Sequence, residues 1–506
     1  MRNTRRKHTL RKILFITMLL LACFVSARAA DAPKREFRGA WLHLIGQTQW
    51  MNKTPEQQRE YIRDQFDKLQ EAGINAVIFQ VRPSADAAYK SGLEPWSQWL
   101  TGKRGKAPSP VWDPLEFAVE EAHKRGMELH AWLNPYRVTS SPKEILPENH
   151  ISRKYPERFF RYDGKILFDP AYQENRDFIC EVVDDILTRY DVDGIHIDDY
   201  FYPYPAGGKA IPDDSSYAKF GKGMNRGDWR RENVNLLIEQ LHKTIKERKP
   251  WVRFGVSPFG IWRNKKSDPR GSDSNGLENY DSLYADILLW ARKGWVDYLS
   301  PQLYWELDKK VAPSRSLAKW WSDNSSGVDI YIGQDLRLTM NTPDTRANRP
   351  NELATKIEIS RTLPDVKGAI WFHGYWLTGN YKGAHDAMAM NHYSSLALPP
   401  VYGDPAKSPR TIEDIKIEKR DGKEFLVWKA PGKHHKESES DVVKYVVYEF
   451  FPGETQDIND PQTIIAVTPL TRVLIPDDTE GATFAVTAVD RMNRESDPIF
   501  LYDKSK

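Results

Sequence analysis

Between residues 37 and 373 the chain repeats one pattern, in which a short apolar segment is followed by a longer amphipathic one. Short runs rich in Val, Ile and Leu predict β-strands, and apolar residues spaced three and four apart predict helices. Eight strands are predicted, at 37–44, 74–81, 127–133, 194–198, 252–257, 296–304, 329–333 and 368–373. The clearest helices are predicted at 55–72, 114–124, 173–190, 231–246 and 384–394. Eight strand–helix units predict an α/β fold, a (β/α)8 TIM barrel.

The lengths of the connecting segments support this fold. The links from helix to strand are very short, as at Ala72-Gly73 and Arg125-Gly126. The links from strand to helix are long, as at 82–112, 134–169 and 199–228. Because the carboxyl ends of all barrel strands lie on one rim, the long links gather there. We therefore expect the functional site on that rim.

Beyond the barrel the sequence changes character. A proline-rich linker runs from residue 399 to about 409 and separates a barrel domain, 35–398, from a second domain, 409–504. The second domain shows short alternating segments between Gly and Asp turns and no helical pattern. This pattern predicts an all-β sandwich of the fibronectin type III kind, with an accessory or spacer role.

The first 29 residues predict export. Basic residues up to Lys12 precede an apolar run from Ile13 to Val25, and Ala27-Arg28-Ala29 offers a cleavage site, so a signal peptide is predicted at 1–29. The segment 20–23 also fits a lipobox, which would place a lipid anchor on Cys23. No other segment is apolar and long enough to span a membrane, so the mature chain is predicted to have no transmembrane segment.

Composition excludes several classes of function. A formal net charge of +3 over 506 residues gives no reason to expect nucleic acid as a partner. Two cysteines, Cys23 and Cys180, exclude a disulfide framework and a cysteine-based zinc site. Four single histidines lie on predicted strands, yet neither His-x-His nor His-Glu-x-x-His occurs, and no nucleotide motif is present. We therefore predict no metal and no cofactor.

The segment 193–203 is the most informative for chemistry. Ile195 and Ile197 alternate with His196 and Asp198, which is the period of a strand, and Asp199 follows directly. Glycoside hydrolysis uses two carboxyl groups, one of which donates a proton while the other acts as a nucleophile or a base. Asp198 is the predicted nucleophile, ionised at neutral pH. The alternative is that these acids cap the next helix.

Glu306 is the predicted proton donor. It ends the predicted sixth strand in phase with Gln302 and Tyr304, and its neighbour Trp305 would desolvate it and raise its pKa. Asp335, after the seventh strand, is the competing acid. Asp199 lies on the opposite strand phase, so orienting loops or binding sugar hydroxyls is predicted for it.

Other residues near the predicted strand ends are candidates for binding a glycan, and for each of them a structural role is the alternative. Arg82, for example, would pair with an acid in the barrel mouth. The polar candidates are Arg82, Asn134, Tyr136, Arg137, His196, Gln302 and Tyr304. The candidates on the first and last strands are Trp41, His43, Trp371 and His373.

Five motifs carry a family resemblance: 37–41 (FRGAW), 80–83 (QVRP), 132–137 (WLNPYR), 193–200 (DGIHIDDY) and 300–306 (SPQLYWE). In this order they resemble the glycosyl hydrolase-like ten family, over about residues 35–393. The resemblance implies a TIM-barrel glycosidase of the bacterial envelope, exported to the periplasm or held as a lipoprotein, in some members acting on peptidoglycan. Asp198 also matches the fourth-strand nucleophile of alpha-amylase-like barrels, although His196 stands where those enzymes have Arg.

The predicted partner is therefore a polysaccharide, and an N-acetylated bacterial glycan such as peptidoglycan is the first expectation. Three alternatives stay open: a hydrolase of another polysaccharide, a barrel that binds glycan without catalysis, and a metal-dependent deacetylase on the same scaffold.

Overall fold

The computed structural model describes residues 32–432, 434–476, 479 and 481–501. The predicted signal peptide, Cys23 and the last residues of the predicted second domain therefore lie outside the described residues. Within the part of the chain that is described, no helix has both the length and the apolar character that crossing a membrane requires.

Eight parallel strands close into a barrel in which each strand pairs with its neighbours in chain order. The strands are β1 (Phe37–Leu42), β2 (Ala76–Arg82), β3 (Glu128–Leu133), β4 (Gly194–Ile197), β5 (Arg253–Val256), β6 (Tyr298–Leu299), β7 (Asp329–Asp335) and β8 (Val366–Phe372). The main outer helices are α1 (Pro55–Glu71), α2 (Pro114–Lys124), α3 (Gln173–Arg189), α4 (Arg226–Arg248), α5 (Ile287–Lys293), α6 (Ser314–Asp323) and α7 (Leu353–Thr362). The predicted TIM barrel is confirmed.

The first outer helix shows why the predicted helices form. Thr54 and Gln57 make a reciprocal capping box at the start of α1, and Pro55 occupies its first turn. Ile62, Phe66 and Leu69 recur at helical spacing and are buried against the barrel. The predicted end of the helix at residue 72 is correct to within one residue.

Two predicted elements differ from the observed ones. The sixth strand is only two residues long instead of 296–304, because Pro301 cannot donate a hydrogen bond to a neighbouring strand. Beyond it, Gln302 makes only single bridges, to Phe259 and Gly333. The predicted last helix, 384–394, is a short α-helix, Ala384–Ala387, followed by a π-helical turn, Met388–His392.

The barrel interior contains a hydrogen-bonded layer below the carboxyl-end rim. The Tyr298 hydroxyl lies 2.8 Å from Nδ1 of His130 and 2.9 Å from Nδ1 of His196. Gly255 makes room for the Tyr298 ring, since a Cβ there would lie 1.9 Å from a ring carbon. This layer forms the floor on which the site is built.

Beyond residue 409 the described residues form two antiparallel sheets. One contains Glu413–Arg420, Lys423–Lys429 and Arg472–Leu474, and the other contains Ile464–Thr468, Val442–Phe450, Thr483–Asp490 and Ile499–Leu501. Buried side chains from both sheets, among them Leu426 and Val447, share one apolar cluster. The all-β prediction agrees with these strands, and the fibronectin type III assignment stays a prediction.

The segment after the barrel contacts the amino ends of the barrel strands. Asn493 donates a 2.6 Å hydrogen bond to Glu128, the first residue of β3, and the Glu495 carboxylate lies 2.9 Å from the Arg35 guanidinium. The carboxyl-end rim is at the opposite end of the barrel. The C-terminal sheets therefore leave that rim uncovered.

Candidate active site

A cavity of about 430 Å³ opens at the carboxyl ends of the strands, within the size range of ligand pockets. Half of its lining residues are Trp, Tyr or Phe, and nearly all of the others are polar or charged. The lining residues are Trp41, His43, Ile45, Gln80, Trp132, Arg137, Asp198, Asp199, Tyr200, Tyr204, Ser257, Phe259, Gln302, Tyr304, Trp305 and Phe372. They come from the ends of several different strands and from the segments that follow them, as expected for a barrel site.

Asp198 and Asp199 lie side by side in this lining, and each is only 4% exposed. Strand β4 ends at Ile197, and the chain then bends, with the Phe201 amide donating to the Asp199 carbonyl at 3.1 Å. Strand phase predicted that Asp199 points to the opposite side from Asp198. This prediction is wrong, because strand alternation stops at the bend. Both carboxyl groups reach the same cavity.

Two donors hold the Asp198 carboxyl group in place. The Trp132 indole donates to Oδ2 at 3.2 Å, and the Asn134 amide donates to Oδ1 at 2.9 Å. Asn134 is itself fixed, since its Oδ1 accepts the Arg137 backbone amide at 2.8 Å. The segment after β3 therefore positions the side chain that follows β4.

Burial raises the pKa of Asp198 to about 7, although Arg137 and the two donors act in the opposite direction. The adjacent Asp199 raises this pKa further. Near neutral pH Asp198 is therefore close to half protonated, whereas the sequence analysis expected an ionised group. A carboxyl group that carries a proton at this pH is suited to general acid catalysis.

Asp199 has different hydrogen-bond partners. The Tyr204 hydroxyl donates to Asp199 Oδ2. Burial raises the pKa of Asp199, while hydrogen bonds from Tyr204 and Gln302 to the carboxylate lower it. Burial also raises the pKa of Tyr204, so this phenol keeps its proton and remains a donor to Asp199. The net result of burial is a raised pKa, and these hydrogen bonds act in favour of the ionised form of Asp199.

The aromatic lining suits a carbohydrate. Tyr304 stacks on Phe372 with ring centroids 5.4 Å apart, and Phe259 meets Trp305 edge to face at 5.4 Å. At the rim, the Arg137 guanidinium lies 4.1 Å from the centre of the Tyr200 ring, which is 42% exposed. Flat apolar faces beside hydrogen-bonding groups match a sugar ring, which has an apolar face and polar edges.

Glu306, which was predicted to face Asp198 across the mouth, is not among the residues that line this cavity. Its carboxylate is partly exposed and lies 3.3 Å from Lys309 Nζ, and Glu306 does not line the cavity. The reason is that β6 ends at Leu299, so strand phase no longer applies to Glu306. Gln302 and Tyr304 line the cavity, and so does Trp305.

Asp335, the competing acid, ends β7 and caps the following short helix. Its Oδ1 accepts the Leu338 amide at 2.7 Å, and it does not line the cavity. Helix capping, the alternative role left open for the acids after β4, is therefore the role observed for Asp335.

Arg82 has the structural role that the sequence analysis left open. It is fully buried and forms a two-pronged ion pair with Glu94, at 2.6 and 2.7 Å. It also donates to the carbonyls of Asn134 and Pro135. Arg82 thereby braces the backbone that carries Asn134. Tyr136, also predicted to bind substrate, is fully buried and does not line the cavity.

Replacing Glu94 with Gln tests this brace. The change leaves the Arg82 charge buried without its counter-ion, so we expect a loss of about 3–5 kcal/mol in the free energy of unfolding. Urea denaturation measures it. The matched control is Glu56→Gln, at an exposed ion pair with Arg59, for which we expect a change within about 1 kcal/mol. Equal effects of the two changes would contradict the brace.

The remaining candidates divide between lining and support. Trp41 and His43 line the cavity. His196 lies just beneath it, with Nε2 3.0 Å from Ser257 Oγ and 3.2 Å from the Trp41 indole nitrogen. Burial lowers the pKa of His196 well below its usual value, so the ring is neutral. His196 therefore supports the floor and does not itself line the cavity.

The phase predicted for the last strand is wrong by one residue. Phe372 lines the cavity, while Trp371 is fully buried and donates to the Tyr393 hydroxyl at 3.2 Å. The inward phase of β8 is that of Ile370 and Phe372, which share an apolar cluster with Phe37 and Trp41. His373 packs against His43 with ring centroids 4.7 Å apart, just outside the lining.

Several lining residues were not predicted: Ile45, Gln80, Trp132, Tyr200, Tyr204, Ser257, Phe259, Trp305 and Phe372. Trp132 lies on β3, two residues before the predicted candidate Asn134, so strand alternation would have found it. The aromatic run after Asp199 was a second available signal. Nothing local marks Phe259.

The described histidines do not assemble a metal centre. Within residues 32–432, 434–476, 479 and 481–501, no three His, Cys, Asp or Glu side chains form a group that could hold a metal ion. His130 and His196 instead bond to Tyr298, and burial lowers the pKa of His43 to about 3 and of His373 to about 4.

The chain is similar to several known proteins. Glycosyl hydrolase YngK of Bacillus subtilis is 41% identical over 400 residues, which are 76% of this chain and 78% of that protein. Glycosyl hydrolase DigH of Escherichia coli K12 is 35% identical over 423 residues, or 74% and 95%. The PgaB (BpsB) glycoside hydrolase domain from Bordetella bronchiseptica aligns over 70% of this chain and 98% of its own, with a TM-score of 0.46 and 12% identity.

The model of one family, Glycosyl hydrolase-like 10, matches residues 36–348, which include β1 to β7 and both members of the carboxyl pair. This is the family that the sequence motifs resemble. The chain belongs to the glycosyl hydrolase-like 10 family.

Proposed function

We propose that this protein is an exported glycoside hydrolase that cleaves an N-acetylated glycan of the bacterial envelope, with peptidoglycan glycan strands as the first candidate. Glycoside hydrolase activity is supported by the family and by two relatives named glycosyl hydrolases. The observation that carries the proposal is the adjacent pair Asp198 and Asp199, buried in a cavity lined with aromatic rings.

The two carboxyl groups divide the work. Asp198 donates a proton to the glycosidic oxygen as the bond to the anomeric carbon breaks. Asp199 stays ionised and stabilises the positive charge that develops on the sugar. Trp132 and Asn134 orient the proton donor, and the hydrogen bonds from Tyr204 and Gln302 favour the charged form of its neighbour. This assignment replaces the pairing of Asp198 with Glu306.

Product analysis tests the proposal. Purified peptidoglycan glycan strands, with and without stem peptides, are incubated with the protein and the products identified by mass spectrometry. We expect new reducing ends from the wild type and none from Asp198→Asn. Cleavage of another polysaccharide alone would favour the hydrolase of different specificity. Binding without any cleavage would contradict the enzyme.

Export is proposed from the sequence of the first residues. When the full-length gene is expressed in a bacterial host, we expect the mature N-terminus near Ala30, because basic, apolar and small residues follow one another there. Intact-mass spectrometry of the envelope fraction measures this. A mature chain that begins at an acylated Cys23 would replace simple cleavage with a lipoprotein anchor.

We also propose that the C-terminal sheets form an accessory domain of fibronectin type III kind. Support comes from the apolar cluster that both sheets share and from their contacts at the amino ends of the barrel strands. A domain held at that end can act as a spacer toward the envelope without blocking the cavity.

A further inference from the structure

We propose that the nucleophile in this site is the substrate's own 2-acetamido group, positioned by Asp199, so that the enzyme acts only on glycans N-acylated at the cleaved sugar. This inference rests on the proposed glycoside hydrolase function and deepens it. It names a chemical requirement of the substrate and the side chain that reads it.

The placement of the two carboxyl groups limits how they can act on the bond. Hydrolysis by two enzyme carboxyl groups needs them on either side of the anomeric carbon, about 5–5.5 Å apart for retention or about 6.5–9.5 Å apart for inversion, where a water must fit between them. Here the two acids follow one another in the chain and approach from the same strand end. Neighbours of this kind act on one side of the bond.

The rest of the cavity lining decides which other groups could attack the sugar. Among the described lining residues, Asp198 and Asp199 are the only acids. The acids that other strand ends could supply are bound elsewhere: Glu306 lies beside Lys309, Asp335 caps a helix, and Glu94 pairs with Arg82. The described lining therefore offers no carboxylate nucleophile other than this pair. An N-acetylated sugar carries a nucleophile of its own, because the acetamido oxygen can reach its own anomeric carbon.

The surroundings of Asp199 leave it able to accept a further hydrogen bond. A carboxylate offers about four acceptor positions, and Tyr204 and Gln302 occupy only part of them. Asp199 can therefore accept the acetamido N–H as well. Phe259 and Trp305, in the same lining, meet at 5.4 Å and present an apolar wall that suits the acetyl methyl group.

The first step then balances as follows. The bond between the anomeric carbon and the leaving oxygen breaks, and the Asp198 proton moves to that oxygen. The acetamido carbonyl oxygen bonds to the anomeric carbon, and Asp199 accepts the amide proton, which leaves a neutral oxazoline. In the second step Asp198 takes a proton from water as the water oxygen attacks the anomeric carbon. The oxazoline ring opens, and Asp199 returns the proton to nitrogen. The anomeric configuration is retained.

The test exchanges the acyl group on one substrate. Purified glycan strands are de-N-acetylated and divided into three samples, which are left as free amines, re-acetylated, or trifluoroacetylated. Fluorine withdraws electrons from the carbonyl oxygen and weakens it as a nucleophile. We expect re-acetylated strands to be cleaved like native ones. We expect trifluoroacetylated strands to lose about 10²-fold or more in kcat, as when a participating group is disabled. Free-amine strands should not be cleaved.

Two controls separate chemistry from binding. The Asp198→Asn variant should bind the re-acetylated and trifluoroacetylated strands with similar Kd, so that the rate difference belongs to the bond-breaking step. Nuclear magnetic resonance of the first product formed should show the retained anomer. Equal rates on acetylated and trifluoroacetylated strands, or an inverted product, would overturn the inference while leaving a glycoside hydrolase. Failure to cleave native strands would instead refute the proposed function on this glycan.

Discussion

The substitution Asp198→Asn is expected to lower kcat/KM on glycan strands by about 10³-fold or more, because an amide cannot supply the proton that the leaving oxygen needs. Asp198 accepts hydrogen bonds at both oxygens, from Trp132 and from Asn134, so the amide nitrogen of the variant faces a donor. We expect this mismatch to cost about 1–3 kcal/mol in stability and to leave the fold intact. Steady-state kinetics measures the first effect and thermal unfolding measures the second.

The matched comparison is Glu306→Gln. Glu306 is also an acid near a strand end, but it lies beside Lys309 and outside the cavity lining. We expect its replacement to leave kcat/KM within about threefold of the wild type, as for a surface ion pair. Losses of several orders of magnitude in Glu306→Gln, with little loss in Asp198→Asn, would reverse the assignment and restore Glu306 as the acid.

The substitution Asp199→Asn is expected to lower kcat by about 10²- to 10⁴-fold, because the variant lacks the negative charge that stabilises the reacting sugar. The matched variant is Tyr204→Phe, which removes one donor to Asp199 but keeps the carboxylate. We expect a smaller loss in Tyr204→Phe, about tenfold, since one hydrogen bond of about 1.5 kcal/mol is removed. A full loss in Tyr204→Phe with little loss in Asp199→Asn would point to the phenol as the reacting group.

The pH profile distinguishes the roles of the two acids. Asp198 acts protonated, so activity should fall as pH rises past its pKa of about 7. Asp199 acts ionised, so activity should also fall as pH drops through its own pKa. A bell-shaped profile of kcat/KM is expected for the wild type. The residual activity of Asp199→Asn should lose the acidic limb and keep the alkaline one. A wild-type rate that stays flat through pH 7 to 9 would contradict the role of Asp198.

The barrel was predictable from the chain because its signals are local. Each strand is a short apolar run, α1, α2, α4 and α5 begin at capping side chains, and the loop lengths differ between the two ends of the barrel. These features depend on residues within a few positions of one another. Asp198 was found for the same reason, since it directly follows an alternating strand.

The partner of Asp198 was not predictable in this way. Strand phase selected Glu306 and placed Asp199 on the wrong side, because the period of two holds only while the backbone stays extended. Strand β6 ends at Leu299, before Pro301, and β4 ends at Ile197, before the bend that turns both acids inward. Where a strand stops is decided by its pairing with neighbours far away in the sequence.

The sequence by itself determined the repeating strand–helix order, the rim that carries the site, and the presence of an acid at the end of the fourth strand. Only the tertiary structure decided which groups meet there. It set the hydrogen bonds from Trp132 and Asn134 to Asp198, the pairing of Arg82 with Glu94, and the burial that raises the pKa of Asp198 to about 7. The physical reason is that a pKa and a contact depend on every group packed around a side chain, and barrel closure brings those groups together from distant parts of the chain.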